Sequence, residues 1–300
     1  MKRSTRIMTL VLATLLFAAC FIAIPASAAG SASFSAMTYN LKNSNYGFSD
    51  VQNLMKAQRP AVLGMQEVTN LQWSSVNSKM KDLGYASVRG NYRGTTKITE
   101  GNECNPIFYM TSVFTLQNSG SFWLSDTPTK QSKYSESGYY RIATWAVLKA
   151  KSTGDCIIVV NTHLDLNATA RFKQEQVLLK QLVAIEKNAP AAKDNLIIMG
   201  DLNSGSNTAI FKYITGAAKY NNTSNNITWT RLQSSRLAAS SVTNNKWGNY
   251  YSNPSTNPTA DLDHIIISTH CVTCTKYIVV NDAAGSDHLP IRVTLKLKTA

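Results

Sequence analysis

Cysteine is scarce in this chain, five among 300 residues, and one of them, Cys20, lies in the N-terminal apolar stretch. Cys271-x-x-Cys274 is the one close pair. No second pair stands at metal-ligand spacing, which argues against a zinc site. Beyond the N-terminus no apolar run is long enough to span a bilayer. Repeats of the solenoid kind are missing, as is a linker that would divide the chain after its leader. Acidic residues are few, 17 Asp and Glu against 30 Lys and Arg, for a formal net charge of +13. No dense Lys/Arg cluster accounts for that excess.

What is present begins with an export leader. Lys2, Arg3 and Arg6 precede an apolar run over about 8–24, followed by Pro25 and Ala26-Ser27-Ala28. A basic region, an apolar region and an Ala-x-Ala site in that order predict a signal peptide over 1–28, cleaved near Ala28, and a secreted product; a retained anchor is the alternative. Cleavage would remove three basic and no acidic residues, leaving a net charge of about +10. Such an excess favours polyanionic partners: nucleic acid, anionic lipid headgroups or anionic polysaccharide. The even set Cys104, Cys156, Cys271 and Cys274 in an exported chain suggests disulfides, in one of three connectivities. Hydrophobic residues at 44% are enough for a sizeable core.

The order of elements reads strand, helix, strand, helix, then mostly strands. Strands are expected at 34–39, 61–65, 86–89, 106–110, 113–117, 141–149, 156–161, 196–199, 263–268, 276–280 and 289–296. Ser49-Asp50-Val51-Gln52 has capping-box form and predicts a helix to about Arg59, stopped by Pro60. Further helices are expected at 71–83, with Val76, Met80 and Leu83 on one face, and at 168–187. Residues 125–138 read as a loop, and the Asn-, Ser- and Thr-rich segment 220–258 as long loops over short strands. Residues 29–300 are read as one α/β domain, two packed mixed sheets with helices outside.

Leu196-Ile-Ile-Met-Gly-Asp-Leu-Asn-Ser204 organises the reading of function. Four apolar residues predict a buried strand, and Gly200 permits a turn or a close approach. Asp201 and Asn203 then stand two apart, on one side of an extended backbone. They suit the rim of a site, although both residue types also cap helices. The chain repeats the device. Other apolar segments start or stop at Asn40, at Glu67, in Asn161-Thr-His163-Leu-Asp165, at Asp263-His264 and at Asp287-His288. Oxygen ligands of this kind suit magnesium, manganese or calcium. His163 and His288 stand beside acidic residues, as a general base at neutral pH would. Cation, imidazole and amide donors together fit attack of water on a phosphate ester.

MTYN at Asn40, GMQEV at Glu67, NTHLD at His163, GDLNS at Asp201, DLDHI at Asp263 and SDHLP at His288 together resemble the endonuclease/exonuclease/phosphatase superfamily, metal-dependent phosphoesterases that include deoxyribonucleases, abasic-site endonucleases, neutral sphingomyelinases and inositol polyphosphate 5-phosphatases. The strings occur in the family's order from about Phe34 to Val293. GNECNPIFYM, SGSFWLS and YYRIATWAVL further resemble a small, often exported branch. The resemblance implies a four-layer α/β/β/α sandwich. It implies magnesium at Glu67, with Asn40 and Asp287 completing the shell, and manganese or calcium as alternatives. It implies His288, oriented by Asp263, as base or phosphate-stabilising imidazole, and Asp201 as the group positioning water or assisting the leaving group. Asn203 would donate to a phosphate oxygen, and His163 would be a second imidazole paired with Glu103. Arg141 would contact phosphate, with Asp165 a secondary phosphate-site residue. Asp261 lies two positions before Asp263, but Asp263 directly precedes the His-Ile-Ile-Ile strand and is preferred.

The expected substrate is extracellular DNA or RNA, on the strength of the charge, and Trp229, Trp247, Tyr250 and Tyr251 could stack on bases. A phospholipid, sphingomyelin or sugar-phosphate phosphoesterase is the second reading, and a non-enzymatic polyanion binder the third. Nothing points to an obligate protein partner.

Overall fold

The computed structural model describes residues 31–91, 102–216, 231–244, 248–251, 258, 260–269 and 272–297. The leader expected over 1–28 lies outside them, as do Cys271, Trp229 and Trp247. Among the described residues no helix is long and apolar enough to cross a membrane.

Strands in chain order are β1 (Ser33–Asn40), β2 (Val62–Gln66), β3 (Val68–Thr69), β4 (Tyr85–Val88), β5 (Glu103–Cys104), β6 (Ile107–Met110), β7 (Phe114–Trp123) and β8 (Ile142–Ala150). They continue as β9 (Cys156–His163), β10 (Leu196–Asp201), β11 (Leu232–Ser234), β12 (Val242–Thr243), β13 (Asp263–Ser268), β14 (Val272–Val279) and β15 (Ile291–Leu297). Helices are α1 (Phe48–Gln58), α2 (Trp73–Asp82), α3 (Ala168–Asn188), α4 (Ala209–Ile214) and α5 (Ser235–Ala238). One sheet runs β12-β14-β15-β1-β2-β6-β4, the other β11-β13-β10-β9-β8-β7, and β3 pairs with β5 alone.

Both large sheets are mixed: β1/β2 and β9/β10 are parallel, and β1/β15 and β10/β13 antiparallel. The parallel strands carry near-continuous apolar runs because both faces are covered. Between the sheets, Ala36, Val62, Ile107 and Val293 meet Val159, Ile197, Met199 and Ile265. Behind the first sheet Leu63 and Met65 pack with Val51, Leu54 and Met55 of α1 and Val76 and Met80 of α2. Behind the second, Ile158, Val160 and Ile198 pack with Leu178 and Leu182 of α3 and Phe211 of α4. The result is the expected sandwich of helices, sheet, sheet, helices.

Register brings the polar strand ends together. Asn40 stands opposite Gln66 across β1/β2, and Asp201 stands opposite both His163 and Asp263. Since β1 packs on β10 and β2 on β9, these ends face each other at one edge of the sandwich. Just beneath, Gln66 Nε2 donates to Asn161 Oδ1 at 2.7 Å, and Asn161 Nδ2 to the Met65 and Pro106 carbonyls. These bonds offset much of the penalty of burial, although Gln66 Oε1 has no partner, and they lock the sheets in one alignment. Gly200 lies inside β10 at φ 150°, and a Cβ there would sit 1.9 Å from the Thr162 carbonyl oxygen. It is needed for close approach to β9 and makes no turn.

Several local expectations change. α1 starts one residue early, capped by Gly47 with no side-chain bond, so the Ser49–Gln52 capping box is not formed. Leu83 falls just past the end of α2 yet packs, partly buried, against the same cluster as Val76 and Met80, as expected. β7 runs on to Trp123 because β8 offers a full ladder; a register shift between Leu116 and Asn118 breaks the alternation that would have revealed it. The short helix α4 was not anticipated. The disulfide expectation fails for the three described cysteines: Cys104, Cys156 and Cys274 are buried free thiols, each in a different sheet.

Candidate functional site

Asp201 closes β10 and is 2% exposed. Its Oδ2 accepts from Asn40 Nδ2 at 3.1 Å and lies 3.6 Å from His163 Nε2 and 3.8 Å from His288 Nε2. Its Oδ1 accepts the Asn203 backbone N–H at 2.8 Å. That turn holds Asn203 in the left-handed region, φ 49°, an uncommon place for a side chain other than glycine. Neither residue caps a helix, since α4 begins later with Thr208 as its cap. Asn203 Nδ2 donates one hydrogen to the Leu164 carbonyl at 2.9 Å, and the amide borders the cavity described below.

His288 is reached from a loop before β15, and the Asp263 Oδ2 to His288 Nδ1 distance is 2.7 Å. Asp263, rather than Asp261, makes this contact; Asp261 accepts instead from Asn249 and Arg236. Asn249, fully buried, ties the segment together: its Oδ1 accepts Leu262 N and Asp263 N, while its Nδ2 donates to the Asp263 carbonyl. Ser286 Oγ donates to the Asn40 carbonyl and accepts His288 N, linking the loop to β1. Burial alone would push the His288 imidazole toward neutrality. The Asp263 carboxylate, with Asp201 and Asp287 behind it, outweighs burial and raises its pKa. Burial and Asp201 raise Asp263 in turn. His264, next in sequence, does not border the cavity: its ring lies tilted against Phe211, its Nε2 donates to the Ser204 carbonyl, and burial lowers its pKa.

Glu67, directly after β2, also has left-handed backbone, φ 58°. Its Oε2 accepts Asn43 N at 3.0 Å and its Oε1 accepts Asn40 Nδ2 at 3.1 Å, with His163 Nδ1 4.0 Å away. Asn40 thus presents its amine to Glu67 and Asp201, while its oxygen takes Lys42 N. It ties the two carboxylates together rather than offering them an oxygen. A cavity of about 340 Å³ is bordered by Glu67, Glu103, Asp201 and Asp287, with Lys42, Arg141 and the charged His288 as its cationic side chains. Lys42 offsets Asp287 at 3.5 Å, and the remaining three carboxylates offer hard oxygen ligands in a lining with no excess of positive charge for an anionic ester, so the donor set fits a hard metal ion. Among the described residues, Asp201, Asp263 and His288 also place ligating atoms within 4.8 Å of one another. In that group Asp263 is already bonded to His288 through Oδ2, whereas Glu67 and Asp287 border the cavity itself and are the carboxylates better placed for the ion.

Glu103 and His163 border the cavity together, and Asn43 Nδ2 donates to Glu103 at 3.1 Å. Arg141 borders it too, its guanidinium 5.1 Å from the Tyr139 ring centre. Asp165 does not: it is 1% exposed and accepts Gly138 N, Tyr139 N and Asn167 N, with Arg141 Nε 3.8 Å away. Its place is to hold the loop that carries Arg141. Lys42, Asn43, Asn249 and Ser286 went unnoticed in the sequence. Asn43 and Ser286 sit within or beside the MTYN and SDHLP strings, whereas nothing local marks Asn249. Tyr250 reaches the cavity, its ring 4.8 Å from that of His288.

Known proteins share this fold. No curated protein matches the chain. Similar solved structures include an endonuclease/exonuclease/phosphatase family protein from Bacteroides thetaiotaomicron, 22% identical over 90% of this chain and 99% of that one, TM-score 0.73. A mannosyl-6-phosphatase of the same species is 22% identical over 87% and 99%, TM-score 0.72. The human Nocturnin catalytic domain is 18% identical over 89% and 94%, TM-score 0.64. The model of the Endonuclease/Exonuclease/phosphatase family matches residues 37–288, and the chain belongs to that family of metal-dependent phosphoester hydrolases.

Proposed function

We propose that the protein is an exported, magnesium-dependent phosphodiesterase acting as an endonuclease on extracellular DNA or RNA. The observation that carries the chemistry is the meeting of Glu67, Asp201, His163 and the Asp263–His288 pair at one cavity. The leader-like N-terminus and the net charge of about +10 expected without it support export and a polyanionic substrate.

Charge neutralisation and polarisation of a phosphoryl oxygen would come from an ion held by Glu67, with Asp287 beside it and Asn40 positioning the carboxylate. Asp201 orients the attacking water and takes its proton as the water oxygen bonds to phosphorus. Arg141, His163 and the Asn203 amide stabilise the non-bridging oxygens. The leaving oxygen departs with the proton of His288, which Asp263 keeps charged and correctly turned.

A sugar-phosphate phosphatase is the second reading, favoured by the fold it shares with the mannosyl-6-phosphatase. The purified protein, incubated with plasmid DNA, RNA, mannose 6-phosphate and sphingomyelin, with magnesium or with chelator, separates the two. Nicking of plasmid or RNA only with magnesium supports the nuclease reading. Release of phosphate from the sugar ester with intact nucleic acid would replace it.

A further inference from the structure

A second cavity of about 410 Å³ adjoins the first, bordered by Lys42, Tyr251, Ala283, Gly285, Ser286 and Asp287. Lys42 and Asp287 border both cavities and form the partition, Nζ to Oδ2 3.5 Å. We propose that this second cavity receives a nucleoside, the substituent on one side of the scissile phosphate, so that substrates bearing a nucleoside there are strongly preferred. The inference rests on the nuclease reading above and adds where the nucleoside on one side of the phosphate is held.

The walls are built, not left over. Tyr39 Oη donates to the Ala283 carbonyl at 2.8 Å, Asn45 Nδ2 to the Ala284 carbonyl at 3.0 Å, and Ser286 N returns to Ala283 at 2.9 Å. Gly285 has φ 88°, and Tyr251 N donates to the Asp287 carbonyl at 2.8 Å. The loop that carries His288 to the reacting centre is thus the same loop that shapes the second cavity. A substituent seated there is fixed relative to the catalytic groups.

The chemistry of the lining selects the occupant. The volume falls in the usual range for small-molecule sites, about 300–1,000 Å³. Lys42 and Asp287 offset each other, so the cavity suits an uncharged group. Ala283 and Gly285 leave a wall with little side-chain bulk, completed by Tyr251, which is partly buried against the core, and such a wall suits a flat ring. Ser286 and the ion pair offer polar atoms for a base or sugar edge. A choline headgroup would want a cage of several rings and no lysine, and an acyl chain would want apolar walls throughout.

Esters that share one leaving group test this on the whole protein with magnesium: thymidine 5′- and 3′-(p-nitrophenyl phosphate), methyl p-nitrophenyl phosphate, p-nitrophenylphosphocholine and p-nitrophenyl phosphate. One thymidine isomer should exceed the methyl ester in kcat/KM by about ten- to hundredfold, as ring stacking would give. Ala283→Phe, which fills the cavity, and Tyr251→Leu, which removes the ring, should each bring that ratio toward one. Equal turnover of thymidine and methyl esters by the native protein overturns the inference and leaves the phosphodiesterase standing. Preference for the phosphocholine ester overturns the choice of nucleoside. A ratio unchanged in both variants overturns the location. Turnover of the monoester alone removes the phosphodiesterase reading itself.

Discussion

Asp263 Oδ2 and His288 Nδ1 lie 2.7 Å apart, both side chains buried, from a strand start and a loop 25 residues further on. Such a contact fixes which imidazole nitrogen faces the cavity and stabilises its charge, the arrangement that makes a histidine effective in proton transfer. Asp263→Asn should keep the fold and lower kcat by about 10²–10⁴-fold. Circular dichroism and turnover of bis-p-nitrophenyl phosphate check both halves, and a variant within threefold of native would remove the pair from the mechanism.

Glu67 is the carboxylate best placed to hold a cation at the cavity. Chelator should abolish activity and added magnesium restore it. Glu67→Gln keeps the bonds from Asn40 and Asn43 sterically possible but removes the charge, so its magnesium requirement should rise by at least about tenfold. Metal binding followed by calorimetry gives a readout independent of turnover. Unchanged affinity would move the ion elsewhere, with the Asp201, Asp263 and His288 group the first place to look.

Asp165 is a positioning residue. Asp165→Asn leaves Arg141 buried with a neutral neighbour and loosens the backbone of Gly138 and Tyr139. Breaking a buried pair of this kind costs about 3–5 kcal/mol at most, less where one acceptor oxygen remains. A lower thermal midpoint and a raised KM are expected together. A variant that loses kcat alone, with native stability, would return Asp165 to direct contact with the phosphate.

Glu175, on α3, is fully buried with neither carboxylate oxygen hydrogen-bonded, and burial raises its pKa well above 4.5. The folded state therefore keeps its proton where the unfolded chain has lost it. The stabilisation is complete below the unfolded value and is lost as pH rises toward the raised folded value. Glu175→Gln removes this dependence. Its thermal midpoint should exceed that of the native protein by a few degrees near pH 8, roughly 1–2 kcal/mol, and by little near pH 5. An advantage that grows toward acid would show the opposite sign and refute the assignment.

Gly200→Ala sets Cβ against the Thr162 backbone at the point where β9 and β10 deliver His163 and Asp201. The strands must part, so we expect loss of several kcal/mol or failure to fold. A soluble, native-like variant would show that this edge yields more than its packing suggests.

Much of this was legible in the chain alone. Apolar runs ending at Asn40, Glu67 and Asp201, or starting at Asp263, announced strands bounded by chemistry, because so many polar groups at the ends of core strands serve packing poorly. The order of those strings was enough to place the family, and Asp263 was told from Asp261 by its position at the strand. Other features had no local signal. β7 was cut short because its bulge breaks alternation, and the capping box at Ser49 failed because the loop before α1 is held instead through Asn45 and Gly47. Asp165 resembled a site residue in sequence yet turned inward to bind backbone.

Residue identity and periodicity determined the strands, their buried faces and the residues able to bind a cation or move a proton, since these depend on each side chain and its near neighbours. Only the tertiary structure decided which of them meet. Parallel register puts Asn40 beside Gln66 and Asp201 beside His163, while packing of sheet on sheet sets the distances from Asp201 to Asn40 and to His288. Asp201 lies between 38 and 161 positions from His163, His288 and Asn40 in the chain, a separation that no local pattern encodes.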